Sequence, residues 1–75
     1  KDVCADLIVA NITADVLLIL VKTIDKHIKK GGRSILSGIL NDRVNDVISG
    51  YEKHGFKVDK SRTKGEWTAL SMVKQ

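Results

Sequence analysis

One cysteine, no proline, two histidines and no apolar stretch of membrane-crossing length leave this 75-residue chain with few of the usual staples of small proteins. Cys4 has no second cysteine with which to close a disulfide, and Cys4, His27 and His54 do not form a standard zinc spacing. Neither a disulfide framework nor a metal site is therefore expected. A reducing, cytoplasmic setting fits such sparse cysteine usage. The longest unbroken apolar run, Val16 to Val21, falls far short of the roughly 20 residues that span a bilayer. The charged start Lys1-Asp2 has no signal-peptide core behind it. The chain also lacks repeats, low-complexity tracts and linker-like stretches, so residues 1–75 read as one packed unit without internal boundaries.

What is present is a composition of 43% apolar and 29% charged residues, that of one soluble globular domain without room for a second core. A net charge of +4 permits an anionic partner without demanding one.

The run Asp6-Leu7-Ile8-Val9-Ala10-Asn11-Ile12 is nearly continuous in apolar, β-branched character and predicts a strand covered on both faces. Thr13 or Asp15 caps the helix expected next, whose apolar positions Leu17, Leu20, Val21, Ile24 and Ile28 recur at helical spacing. Lys29-Lys30 suit the negative end of that helix and Gly31-Gly32 its stop. Ser34 to Leu40 predicts a second strand, and Asn41 or Asp42 caps a second helix with the buried stripe Val44, Val47, Ile48 and Tyr51. Gly55 ends that helix. Phe56-Lys57-Val58 begins a third strand that fades into the polar stretch 59–66, and Trp67 to Val73 forms the fourth, joined to the third as an antiparallel hairpin. The order is βαβαββ.

Two successive strand-helix-strand units argue for a parallel sheet with right-handed crossovers. If the strands are added in one direction, both helices fall on the same face and the other is left bare. Yet Leu7 through Ala10 and Ile35-Leu36 are apolar at consecutive positions, so both faces expect cover. The missing layer is expected from an N-terminal half of the same protein or from a partner subunit, and a first residue of Lys rather than Met favours the former. Ligands of open parallel sheets bind beyond the carboxyl ends of the strands. Here that rim holds residues 11–14, 38–41 and 63–67.

Val9-Ala10-Asn11-Ile12-Thr13-Ala14 resembles the "VANILA" segment of the methyltransferases that modify large-subunit ribosomal protein L11. Lys30-Gly31-Gly32-Arg33 with Ile35-Leu36-Ser37-Gly38-Ile39-Leu40 is similar to that family's "PGGRLILSGIL". Tyr51 to Phe56 and Gly65-Glu66-Trp67 resemble its "YEEAGF" and "GEW". The likeness covers essentially the whole chain; Thr13 in place of Leu and Lys30 in place of Pro are its departures. The resemblance implies an α/β fold, the C-terminal half of a Rossmann-like class I methyltransferase domain, with strands four to seven in the spatial order 4-5-7-6 and the last antiparallel. It implies S-adenosylmethionine as cofactor and ribosomal protein L11 as substrate, methylated on lysine side chains or the N-terminus. The family's glycine-rich loop and acidic residue that hold the cofactor have no counterpart in this sequence. The chain alone is therefore expected to be inactive, to want the missing N-terminal half as its partner, and to self-associate without it.

Methyl transfer to an amine needs a neutral lone pair aimed at the methyl carbon. The Asn11 carboxamide oxygen suits that task as an uncharged acceptor for the target N–H, with the Ile12 carbonyl as a second acceptor. The resemblance implies the same place, with Asn11 catalytic and Asn11 and Ile12 beside the cofactor. A capping or turn role for Asn11 is the plain alternative. Trp67 and Glu66 either close the pocket or are a sheet-packing indole and a solvated acid. Ser37-Gly38 marks either a ligand's close approach or tight helix packing. Cys4 reads as a minor core residue rather than a nucleophile, and His27 and His54 as helix-end residues without a catalytic role. Lys57, Lys60, Arg62 and Lys64 read as a solvated face, with membranes excluded as partners and nucleic acid not expected. A different class of reading is a self-contained basic module that docks on RNA or protein through its open sheet.

Overall fold

The computed structural model describes residues 4–75. The chain runs β1 (Ala5–Asn11), α1 (Ala14–His27), β2 (Ile28–Leu40), a 3-10 turn (Asn41–Arg43), α2 (Val44–Glu52), β3 (Phe56–Lys64) and β4 (Trp67–Lys74). The four strands form one sheet in the order β1-β2-β4-β3. β1 and β2 are parallel, whereas β4 is antiparallel to both β2 and β3. This is the order and direction the resemblance implies.

Both helices lie on one face. From α1 come Ala14, Leu17, Val21 and Ile24, and from α2 Val47 and Tyr51; these close over Leu36, Ile39, Leu70, Met72 and Phe56 of the sheet. Of the expected stripes, Leu17, Val21, Ile24, Val47 and Tyr51 are buried, and Leu20, Val44 and Ile48 pack partly buried against them. Tyr51 binds the layers together: its hydroxyl donates to the Leu17 carbonyl at 2.7 Å, and its ring meets Phe56 edge to face at 5.4 Å. Burial pushes the Tyr51 phenol up to about 12, because a phenolate has no water there. At the opposite end of the sheet from the rim loops, the Lys74 ammonium joins Asp25 of α1 at 2.8 Å and the His54 carbonyl at 2.6 Å.

The second face has no cover from the described residues. On β1, Ile8 and Ala10 pack towards the helices, while Leu7 and Val9 are 55% and 66% exposed. Their register neighbours Arg33 and Ile35 on β2, and Ser71 and Val73 on β4, carry this face across the sheet.

Four expectations need correction. Helix α1 stops at His27, not at Gly31, because Ile28 is buried and pairs with Ala5 in the sheet. Residues 28–33 instead form an irregular start to β2. A side chain on Gly32 would stand 2.7 Å from the Ile28 side chain and 2.8 Å from the Lys29 carbonyl, so the bend excludes a Cβ. β3 does not fade after Val58 but runs to Lys64, since pairing with β4 satisfies its backbone whatever its side chains. The side chain of neither Asn41 nor Asp42 caps α2, which begins after the 3-10 turn. Cys4 is exposed rather than core.

Candidate functional site

The carboxyl ends of β1 and β2 and the turn between β3 and β4 come together at one rim. Asn11 is the last residue of β1, opposite Ser37 of β2, and the Ile12 amide donates to the Ser37 carbonyl at 3.2 Å. Two residues on, Thr13 occupies the N-cap of α1, so Asn11 is not the cap. Gly38 leaves the room that the Asn11 side chain occupies. A Cβ at Gly38 would sit 2.7 Å from the Asn11 carboxamide oxygen and 3.2 Å from the Ile12 carbonyl, and its φ of +80° lies in the left-handed region. Of the two readings of Ser37-Gly38, the close approach is made by the protein's own acceptors.

Beside Gly38 lies a hollow of about 220 Å³ lined by Thr13, Ala14, Asp15, Leu40, Arg43 and Trp67. Small-molecule sites commonly run to about 300–1,000 Å³. This hollow has the size for a side chain rather than a whole nucleoside-bearing cofactor. Arg43 walls it, held by Asp15 at 2.8 Å and Asp46 at 3.0 Å. Hydrogen bonds to Asp15 and then Asp46 raise the Arg43 pKa further above its usual value, so this wall stays cationic. Its partner Asp15 brings a carboxylate to the same mouth.

Trp67 stands at the rim with 48% of its surface exposed, in contact with the hollow, and is not packed away in the sheet. Glu66 is exposed, and its carbonyl accepts from the Asn41 amide at 3.0 Å. Asn41, expected on the rim and as a helix cap, instead ties two segments together. Its side-chain amide donates to the Gly65 carbonyl at 2.9 Å, and its carboxamide oxygen accepts from Thr68 at 2.6 Å. Thr68 in turn meets the Thr63 hydroxyl at 3.0 Å. These bonds fasten the turn that carries Trp67 to the end of β2. No local signal announces them, because an Asn between strand and helix reads first as a cap. His27 bonds to the Thr23 carbonyl and His54 faces Asp25, both far along the helices from the rim. Among the described residues, no cluster of metal-ligating side chains occurs, and no helix is long and apolar enough to cross a membrane.

Known proteins resemble this chain in sequence and in shape. A ribosomal protein L11 methyltransferase of Clostridium botulinum is 41% identical over 66 residues, spanning 88% of this chain and 21% of that protein. Its Lactobacillus helveticus counterpart is 36% identical over 70 residues, 93% of this chain and 22% of that protein. The crystal structure of a ribosomal protein L11 methylase from Lactobacillus delbrueckii subsp. bulgaricus superposes with a TM-score of 0.91 at 33% identity, covering 99% of this chain and 39% of the other. M1.HpyAVI, solved as a SAM complex, shares the fold at a TM-score of 0.80 and 16% identity, over 97% of this chain and 46% of its own. The chain spans about a fifth of the length of the curated relatives it matches. Residues 1–75 match throughout the family described as Ribosomal protein L11 methyltransferase (PrmA), and the chain belongs to that family.

Proposed function

We propose that these residues form the amine-presenting part of an S-adenosylmethionine-dependent methyltransferase whose substrate is ribosomal protein L11. The observation that carries this reading is the pair of acceptors at the end of β1, the Asn11 carboxamide and the Ile12 carbonyl, pressed against a glycine that leaves them room. S-adenosylmethionine supplies an electrophilic methyl group when bound. The chain's own residues fit the other half of the task. Asn11 and Ile12 accept the two N–H bonds of a neutral amine and so fix the direction of its lone pair. An uncharged Asn11 does this without stabilising the ammonium form, which has no lone pair to give. The rim hollow, with Trp67 and Leu40 as apolar walls and Asp15 at its mouth, has the size and polarity for the side chain that bears the amine.

The β1 edge of the open face, with Leu7 and Val9, is the seat for the remainder of a larger catalytic domain. Alone, the 75 residues self-associate through that face and do not bind the cofactor. Calorimetry of the isolated chain against S-adenosylmethionine is expected to show no heat of binding; millimolar or tighter affinity contradicts this.

Asn11→Ala in the full-length protein should lower kcat for methylation of ribosomal protein L11 about a hundredfold, the scale expected when a reacting group loses its orientation. Asn11→Asp should be equally slow at neutral pH and recover as pH rises, because a carboxylate raises the amine's pKa and holds it protonated. Radiolabelled methyl incorporation reads both, and a wild-type kcat for Asn11→Ala sinks the assignment.

A further inference from the structure

In a strand that alternates strictly, Lys57 would face away from Lys60, Arg62 and Lys64, because it lies an odd number of positions from each. β3 does not alternate strictly. Its register against β4 shifts between Val58 and Lys60, leaving Asp59 as the extra residue of a bulge. The pairs are therefore Lys57 with Val73, Lys60 with Ser71, Arg62 with Ala69 and Lys64 with Trp67. On β4 these partners alternate with Met72, Leu70 and Thr68, which are buried beneath the helices. All four cations thus stand in one row on the face that the helices leave open.

That row runs along the β3 edge of the sheet, across β4 and β2 from Leu7 and Val9, and is exposed. Asp59, the acid within it, is taken by Arg33 of β2, which also donates to the Ser71 hydroxyl. Among the described residues none of the four cations makes an ion pair, and all are exposed. Beside the row, the register partners Ser71 and Ala69 are small side chains. Arg62, Lys64, Ser37, Ala69 and Trp67 line a shallow depression of about 180 Å³ at the row's end. Side chains two apart on a strand repeat about every 6.6 Å. A stacked nucleic-acid strand carries one phosphate per about 3.4 Å. One cation falls to every second phosphate, with an indole where a base can stack.

We propose that β3 is a docking edge for single-stranded nucleic acid, its backbone along Lys57, Lys60, Arg62 and Lys64 and one base on Trp67. An acidic polypeptide matches the charge, but only a nucleic acid carries a flat ring with every charged repeat, so a base is always at hand for the indole and nucleic acid is the occupant this surface fits better. The inference rests on the bulge and the charge row, independently of the methyltransferase reading.

The test is fluorescence anisotropy of labelled uridine and thymidine dodecamers with the full-length protein. Neutralising about four phosphates at a slope of about 0.7 each should weaken binding about fiftyfold between 50 and 200 mM salt. Lys60→Gln with Arg62→Gln should cut that salt effect to about sevenfold. Trp67→Leu should weaken binding about tenfold at constant salt slope. Lys22→Gln with Lys26→Gln, on α1, should change nothing. Absence of binding at 50 mM salt, an unchanged slope in the β3 double variant, an equal loss from the α1 double variant, or displacement of the oligonucleotide by an equally charged polyglutamate would each overturn the proposal. The uridine and thymidine arms distinguish RNA from DNA.

Discussion

Adjacent residues of the same strands meet opposite fates on the two faces of this sheet. Leu36 is sealed beneath α1 and α2, while Val9, on the other face of the neighbouring strand, is 66% exposed. Both belong to apolar runs, so hydrophobic patterning alone treats them alike. The difference comes from crossover handedness, which puts both helices on one side and leaves the other side's apolar residues without a covering helix among the described residues.

The comparison is broken most severely by a cavity on the covered side. Leu36→Ala should cost about 2–5 kcal/mol in a urea melt, a large share of the stability of so small a domain. Val9→Ala in the isolated chain, melted at concentrations low enough to keep it monomeric, should stay within about 0.5 kcal/mol. In the full-length protein the same Val9 change should rise to about 1–2 kcal/mol if the open face is covered there, since two buried methylene equivalents are then lost. An equal cost in both forms would show that the face stays bare.

Two hydroxyls sharpen the contrast within the covered side. Tyr51→Phe should lose about 1 kcal/mol, because the Leu17 carbonyl loses its second donor. The wild-type advantage is full below pH 10, where the phenol is protonated in folded and unfolded chains alike. It should shrink as pH rises towards the folded value of about 12, because the unfolded phenol ionises first and draws the chain open. Melts at about pH 9 and pH 11 with both proteins check the sign. Ser34, by contrast, is buried with no hydrogen-bond partner for its hydroxyl among the described residues. Ser34→Ala should therefore stabilise the chain by up to about 1 kcal/mol, and a loss of that size would reveal a partner.

What could be read beforehand was whatever rests on periodicity or chain direction. Leu17, Val21 and Ile24 repeat at helical spacing, the two strand-helix units force a common helical face, and both are seen. What needed the folded chain were features set by a distant partner. Ile28 continues the helical pattern, yet pairing with Ala5 makes it strand. The polar half of β3 has no strand-like composition, and only β4 keeps it extended. At the rim, the position of Asn11 at the end of β1 was legible from the apolar strand before it. The tie made by Asn41 was not, because its bonds to Gly65 and Thr68 join segments more than 20 positions apart. The Asp59 bulge was equally invisible, and with it the alignment of the four cations.

Trp67 serves as a party wall: the rim hollow beside Asp15 and the shallow basin beside Arg62 both count its indole among their linings. A ring that tilts to widen one chamber narrows the other. Guests of the two chambers would therefore be rivals for a single rotamer, and whichever arrives first sets the shape offered to the second.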